Sequence, residues 1–454
     1  MLKKISNASV KIIQNFLPDP FIFCILLTII VFVADIFATG AGPLTLAMWW
    51  GSGVWNLLAF SMQMALVLVL GNAMASSKPV KKLLDNIAGV AKTPAQGIIL
   101  VTVVSTIACW LNWGFGLVVG ALLAKSIAKK VKGIDYRLLI ASAYSGFIVW
   151  HAGLSGSIPL DIVVADNVAA KTAGAIADGV PMSETVLSPW NLVICLAILI
   201  LMPLVNAKMH PDAANVVTVD PKLLIEEEVV EKKPETIAEK LENSRILSII
   251  VVILGVVYLV QYFAASGNIL NALSLNIVNL IFLVIGVLLH GTPINYVKAI
   301  TDAARGAAGI ILQFPFYAGI QALMVGHLEG GNSLAGLISN FFVAISNTVT
   351  FPVWTFLSAG IVNFFVPSGG GQWTVQGPIV GPASVALGVK PGVALMGIAW
   401  GDAWTNMLQP FWALPALGIA GLGARDIMGY CVIDLLLSGV IIIIGFILVG
   451  VLGL

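Results

Sequence analysis

Apolar runs of about 20 residues recur along the chain, the length that carries a helix across a hydrocarbon core. They predict membrane helices at 21–39, 54–76, 186–207, 246–264, 271–290, 297–325 and 427–453. Four less regular apolar stretches lie between them, at 93–130, 134–165, 350–388 and 391–422, each interrupted by Gly, Pro or polar residues. One segment, 208–244, is hydrophilic and carries Glu226, Glu227, Glu228, Lys232 and Lys233. It reads as a solvated linker between two halves, 1–207 and 245–454. The first half is expected to hold scaffold helices within 21–76, a hairpin at 93–130, a broken helix at 134–165 and a closing helix at 186–207. The second adds a linker helix at 246–264, then repeats the pattern with a hairpin at 350–388, a broken helix at 391–422 and a closing helix at 427–453.

Composition agrees with a chain whose solvent is lipid. Hydrophobic residues make up 59% of it and charged residues 10%, with a mean hydropathy of +1.00; a soluble domain carries about 25% charged residues. The formal net charge of +1, with no basic block, gives no footprint for nucleic acid. The expected setting is the bacterial inner membrane, spanned several times and in contact with lipid. No cleavable signal is expected: the stretch 1–20 is amphipathic and carries Lys3, Lys4 and Lys11, and the first apolar run behind it lacks a small-residue cleavage site. The four cysteines lie in apolar segments without metal-like spacing and read as small hydrophobes.

Basic residues collect on the cytoplasmic side of membrane proteins. With the N-terminus and the linker 208–244 in the cytoplasm, all 23 lysines and arginines except Lys171 and Lys390 fall on or near that side. This requires 93–130 and 350–388 to be re-entrant hairpins entering from opposite faces. The halves also match in sequence order. Gln63 and Met74 face Gln313 and Met324, Leu83–Asn86 faces Leu337–Asn340, Asn112–Gly116 faces Ser368–Gln372, and Pro159 faces Pro415; the offset drifts only from 250 to 256. The expected fold is an all-α polytopic membrane protein of two inverted-topology repeats, each with a re-entrant hairpin and a broken helix. Scaffold and transport domains would move relative to each other in an elevator-like way.

Irregular backbone at membrane depth persists only where protein buries it or water reaches it, and in inverted-repeat carriers such breaks form the substrate site. Four breaks are legible: 111–116, 151–157, 367–376 and 402–410. At the tips, Asn112, Trp113 and Gly114 in one half and Ser368, Gly369, Gly370, Gly371 and Gln372 in the other offer backbone N–H groups, short polar side chains and helix N-termini that favour an anion. The same glycines would also serve as tight turns between packed helices. The broken helices add Ser155, Gly156 and Ser157, and Asn406 and Gln409. Asp402 is an ionisable group in an apolar stretch, where charge is costly and usually functional. It and His151 are the candidates for coupling to H⁺ or Na⁺, while a carboxylate or imidazole that merely braces a break would look the same. Asp35 and Asp434 read as packing or interface residues. None of the arginines (Arg137, Arg245, Arg305, Arg425) falls at a tip, which suits one carboxylate better than two or three. Trp113, Phe115, Trp150, Trp373, Trp404 and Trp412 cluster around the breaks and offer surfaces for an apolar tail.

At these residues the chain resembles the bacterial short-chain fatty acid transporter family, over almost its whole length. The resemblance is carried by Leu17-Pro18-Asp19-Pro20, Asn112-Trp113-Gly114-Phe115-Gly116, Ser155-Gly156-Ser157, Val366-Pro367-Ser368-Gly369-Gly370-Gly371 and Gln409-Pro410-Phe411-Trp412-Ala413-Leu414-Pro415. It implies uptake of monocarboxylates such as acetoacetate or butyrate, and a place in a larger ion-transporter superfamily with a scaffold domain, often dimeric, and a moving domain on two opposed hairpins. A homodimer is expected on that ground. Trp150-His151-Ala152-Gly153 departs from the plain Gly run expected there.

No nucleotide motif is present, so a gradient must drive a carrier of this kind, and no cofactor is expected beyond the coupling ion. A carrier of another organic anion, a dicarboxylate or hydroxy acid, is the nearest alternative. An anion channel would do without Asp402. An intramembrane hydrolase would use Ser155 or Ser157 with His151 as base and Asp161 as orienter.

Overall fold

In a computed structural model, residues 8–12, 15, 19–224, 234–266, 274–367 and 369–454 are described. Ser368, the charged residues Glu226, Glu227, Glu228, Lys232 and Lys233, and the first three residues of the expected helix 271–290 lie outside them. Every regular element among the described residues is helical. Seven helices there are long and apolar enough to cross a membrane: Phe21–Thr39, Pro94–Leu111, Tyr136–Ile162, Pro189–Met209, Arg245–Ala265, Pro293–Val325 and Ala424–Leu452.

Helix starts follow local chemistry. Asp19, Thr93 and Ser188 each stand before a proline and accept a backbone N–H of the first turn, from Phe21, Gln96 and Asn191; proline fits the first helical position because its missing N–H has no partner there anyway. The expected helix 54–76 runs over Leu58–Ala75, and a separate helix not expected from the sequence, Pro43–Gly53, precedes it at a bend of 46°. The bend falls where Gly53 meets the helix Ala308–Val325. A Cβ on Gly53 would lie 2.2 Å from that of Ala322, so the chain turns where only glycine permits the approach.

Each long irregular stretch resolves into paired helices. The first hairpin is Pro94–Leu111 and Trp113–Lys130, and the second is Phe351–Phe365 and Gly369–Ala386. Small residues seat these arms: a Cβ on Gly116 would lie 2.4 Å from the backbone N of Cys109. The first broken helix runs from Tyr136–Ser145 through a 3₁₀ turn, Gly146–Ala152, into the short helix Ser157–Ile162. An 18-residue window of this 27-residue span is wholly buried by protein, which is where a membrane protein tolerates broken helix. The second runs from Pro391–Thr405 through turns to Leu414–Ala420. It packs on the hairpin arm Phe351–Phe365 through Gly397 and Gly401, where added Cβ atoms would sit 3.0 Å from Thr355 and 2.3 Å from the Phe356 carbonyl; small residues four apart let helices touch in lipid. Helix Arg245–Ala265, by contrast, leaves most of its surface uncovered, touching Val284 at Gly255.

Candidate substrate site at the hairpin tips and helix breaks

At the first tip, Asn112 is extended (φ −155°, ψ 120°) between the two arms. Its Oδ1 accepts the Phe115 N–H at 3.0 Å, so the side chain caps the second arm and only its amide nitrogen is left to meet a ligand. The neighbouring Trp113 N–H donates to Ser155 Oγ at 3.0 Å, and Leu154 N–H donates to the Trp110 carbonyl at 2.8 Å. A Cβ on Gly153 would lie 2.2 Å from that carbonyl. The first break is therefore stitched to the first tip. Gly114 lies tight against Val67, 3.3 Å from where a Cβ would sit.

His151 stands at the centre of the arrangement. Its ring stacks on Trp150 with centroids 4.1 Å apart. Its Nδ1 lies 2.8 Å from Asp402 Oδ2, with both side chains fully buried. Its Nε2 accepts the Ile158 N–H at 3.0 Å and lies 3.1 Å from Ser157 Oγ. A backbone N–H can only donate, so Nε2 presents a lone pair and the ring proton sits on Nδ1, directed at Asp402. The second tip closes on the same group: a Cβ on Gly369 would lie 2.4 Å from Ser157 Oγ and 2.6 Å from His151 Cε1. At Gly370, one residue on, a Cβ would meet nothing within 4 Å. Both tips thus rest on the first broken helix, and the second broken helix joins them through Asp402.

Around Asp402 the polar groups form a buried mesh. Asn363 Nδ2 donates to the Asp402 carbonyl at 2.8 Å and lies 2.9 Å from both Thr405 Oγ1 and Asn406 Oδ1, while Tyr144 O–H donates to the Asn406 carbonyl at 2.7 Å. Gln409 Oε1 accepts the Phe411 N–H at 2.8 Å. Several buried polar atoms of this region lack a partner: the donors Trp150 Nε1, Trp412 Nε1, Asn406 Nδ2 and Gln409 Nε2, and the acceptors Asp402 Oδ1, Asn363 Oδ1 and Gln372 Oε1. An unpaired buried polar group costs about 1–3 kcal/mol. Beside them Trp113, Phe147, Trp150 and Trp412 pack together, with Trp412 5.1 Å from Trp113 and 5.5 Å from Trp150. Trp412 also meets Phe60 of the helix Leu58–Ala75 at 6.0 Å.

The expected residues divide accordingly. Trp113, Ser155, Ser157, His151, Gly369 and Asp402 come together, with Asn112, Gly114, Gly156, Gly370 and Gly371 on the same tips and break, and Asn406 and Gln409 in the second break. Gln372 is engaged within the second hairpin, donating to the Ala359 carbonyl and Gln376 Oε1, each at 2.7 Å. Of the aromatic residues, Trp373 bonds Asp161, Trp404 bonds the Leu435 carbonyl, and Phe115 meets Phe282, so these three stand apart from the Trp113–Trp150–Trp412 group. The hydrolase arrangement fails on two counts: Asp402, not Asp161, orients His151, and the Ile158 N–H already occupies the lone pair a base would need. Asp35 and Asp434 are fully buried with both oxygens unpartnered. Arg137 pairs with Asp135 at 3.2 Å, and the other arginines are exposed. Two open clefts, of about 260 Å³ beside Trp49, Asn56 and Gln321 and about 250 Å³ beside Ile107, Val149 and Cys195, contain none of the expected binding residues.

Missed residues include Asn191, Asn363, Tyr144 and Phe147. Asn191 Nδ2 donates to the Ala152 carbonyl at 3.1 Å and its Oδ1 accepts Trp400 N–H at 2.9 Å, bridging the two broken helices. An asparagine inside an apolar run was the available signal, since such a side chain needs partners on other helices.

Membrane-length helices enclosing a polar centre built where helices break define a multi-pass membrane protein, and the comparisons make it a transporter. The chain belongs to the short-chain fatty acid transporter family, whose model matches residues 1–449. It is 50% identical over 448 residues to a protein of Escherichia coli (strain K12) described as a candidate short-chain fatty acid transporter, covering 98% of this chain and 99% of that one. A Haemophilus influenzae protein of the same description is 47% identical over 451 residues, covering 98% and 99%. Among solved structures, the Alcanivorax borkumensis YdaH transporter aligns over 96% of this chain and 98% of its own, at 16% identity and a TM-score of 0.44.

Proposed function

We propose that this protein is a secondary carrier that moves short-chain monocarboxylates across the bacterial inner membrane by alternating access. The observation that carries the reading is the set of buried, unpartnered N–H donors on Trp150, Asn406, Gln409 and Trp412, two of them on rings of the aromatic cluster. Neutral donors of this kind accept one carboxylate, and the rings suit a short apolar chain. Without a guanidinium nearby, a second carboxylate would be left uncompensated.

Asp402 supplies the other half of the mechanism. With His151 holding its proton on Nδ1, the pair carries one negative charge. An incoming anion adds a second, and a proton or Na⁺ taken up at the pair restores the balance. Substrate and cation then bind together, which is coupling. The two hairpins with their broken helices would move as a block against the helices Pro20–Thr39, Leu58–Ala75 and their counterparts, in an inverted-repeat scaffold that is dimeric. A channel reading has no use for a carboxylate–imidazole pair enclosed by protein. The test is uptake by the purified protein in liposomes, with straight-chain monocarboxylates from acetate to hexanoate, with and without Na⁺ and a pH gradient. Saturable, gradient-driven accumulation with counterflow is expected. Unsaturable flux without counterflow would replace the carrier by a channel, and a preference for dicarboxylates would overturn the substrate class.

A further inference from the structure

We infer that Asp161 is a positioning residue for transport, a latch that holds the second hairpin tip down on His151 and Ser157. Asp161 lies one turn beyond Ser157 on the short helix Ser157–Ile162, so both side chains occupy one face. Its Oδ2 accepts Trp373 N–H at 2.7 Å and Lys171 Nζ at 2.8 Å, and its Oδ1 accepts Asn167 Nδ2 at 3.0 Å. One carboxylate thus ties together the helix that follows the first break, the helix Ala165–Lys171 and the start of the second hairpin's outgoing arm.

Trp373 is fully buried, and it begins a face of that arm made by Trp373, Gly377 and Gly381, each four residues from the next. This face lies flush on the turn after Lys171. A Cβ on Gly377 would lie 2.4 Å from the Lys171 carbonyl, and one on Gly381 2.6 Å from Thr172 Cβ. The turn continues through Ala173 at φ 52°, a left-handed conformation that is unfavourable for a non-glycine residue and persists only where its surroundings hold it. Four residues before Trp373, Gly369 sits on His151 and Ser157. Fixing Trp373 therefore fixes the tip over the coupling pair. The Lys171–Asp161 pair is itself 31% and 23% exposed, and ion pairs at such exposure contribute little. The bond from a buried indole to a charged oxygen is the stronger hold.

This inference rests on the carrier reading for its effect on transport, but its first test requires no transport. In a protein with its native cysteines replaced and Ser157 changed to Cys, the thiol lies under the tip and a small hydrophilic thiosulfonate labels it slowly. Trp373→Phe, which removes the N–H and keeps the ring, should raise the labelling rate about tenfold, equivalent to about 1.4 kcal/mol of tip closure. Lys171→Met should raise it less than threefold. In liposomes with Ser157 intact, Trp373→Phe should raise KM about tenfold with the maximal rate changed less than twofold, whereas a merely structural defect would lower the amount of working protein and leave KM alone. Faster labelling without any transport would overturn the carrier reading and keep the latch. Unchanged labelling in both Trp373→Phe and Asp161→Asn, with monodisperse protein, would overturn the latch.

Discussion

Replacing Asp402 by Asn tests the coupling pair with little disturbance to the fold. The amide oxygen of Asn can still accept the His151 Nδ1 proton that Asp402 Oδ2 accepts at 2.8 Å. The charge is lost but the hydrogen bond is kept. A bond to a charged group is worth about 1.5–3 kcal/mol and a neutral one about 0.5–1.5, so the substitution costs about 1 kcal/mol, small against a stability of about 5–15. Removing His151 would instead leave an unpaired buried carboxylate, at about 3–5 kcal/mol, and would confuse folding with function. The expected effect on transport is large by comparison. One proton carried with each anion ties accumulation to the pH difference, and one pH unit is about 1.4 kcal/mol, a tenfold ratio. Reconstituted wild type should therefore accumulate labelled butyrate about tenfold more for each unit by which the supply side is more acidic. Asp402→Asn should show no such slope, yet should still exchange internal for external substrate at an even pH. A variant with the wild-type slope would remove Asp402 from coupling. A wild type that follows Na⁺ and ignores pH would assign the cation differently.

Asn112→Ala removes both a cap worth about 1 kcal/mol and the amide donor, whereas Asn112→Asp keeps a capping oxygen and places a negative charge at the tip; thermal unfolding should move only for the first, and KM for a monocarboxylate should rise at least about tenfold for the second. Gly370→Val meets open space, so it should express normally and lose uptake by filling the ligand's approach, while Gly369→Ala, pressed against Ser157 and His151, should destabilise the protein; normal uptake by Gly370→Val would move the site away from this tip. Asp135 is fully buried and accepts N–H groups of Leu138 and Val217, each at 2.9 Å, besides pairing with Arg137, so Asp135→Ala should free the start of the linker and speed its limited proteolysis about tenfold, with no change in substrate affinity.

The breaks were legible because glycine, proline and polar residues have no other business in apolar runs of this length, and helices are interrupted in each of the four stretches that carry them. Contacts among them were not legible. His151 and Asp402 are 251 positions apart, and nothing in the pattern around either names the other; each alone looked equally like a brace. Local roles could be misjudged for a different reason. Asn112 precedes a helix by one residue, the ordinary place for a capping side chain, and a residue chosen for a ligand and one chosen for a cap have the same identity. The bend at 53–58 follows from the neighbouring helix at Ala322, which no local signal reports. Trp373 is the sharpest case. Its position beside the tip suggested a wall for the substrate, but an indole also carries a donor that must be satisfied when buried. The carboxylate that satisfies it lies in the other half of the chain. Trp150 and Trp412 carry the same donor without a protein partner, and that difference, invisible in the sequence, separates tryptophans that hold the frame from tryptophans free to hold an anion.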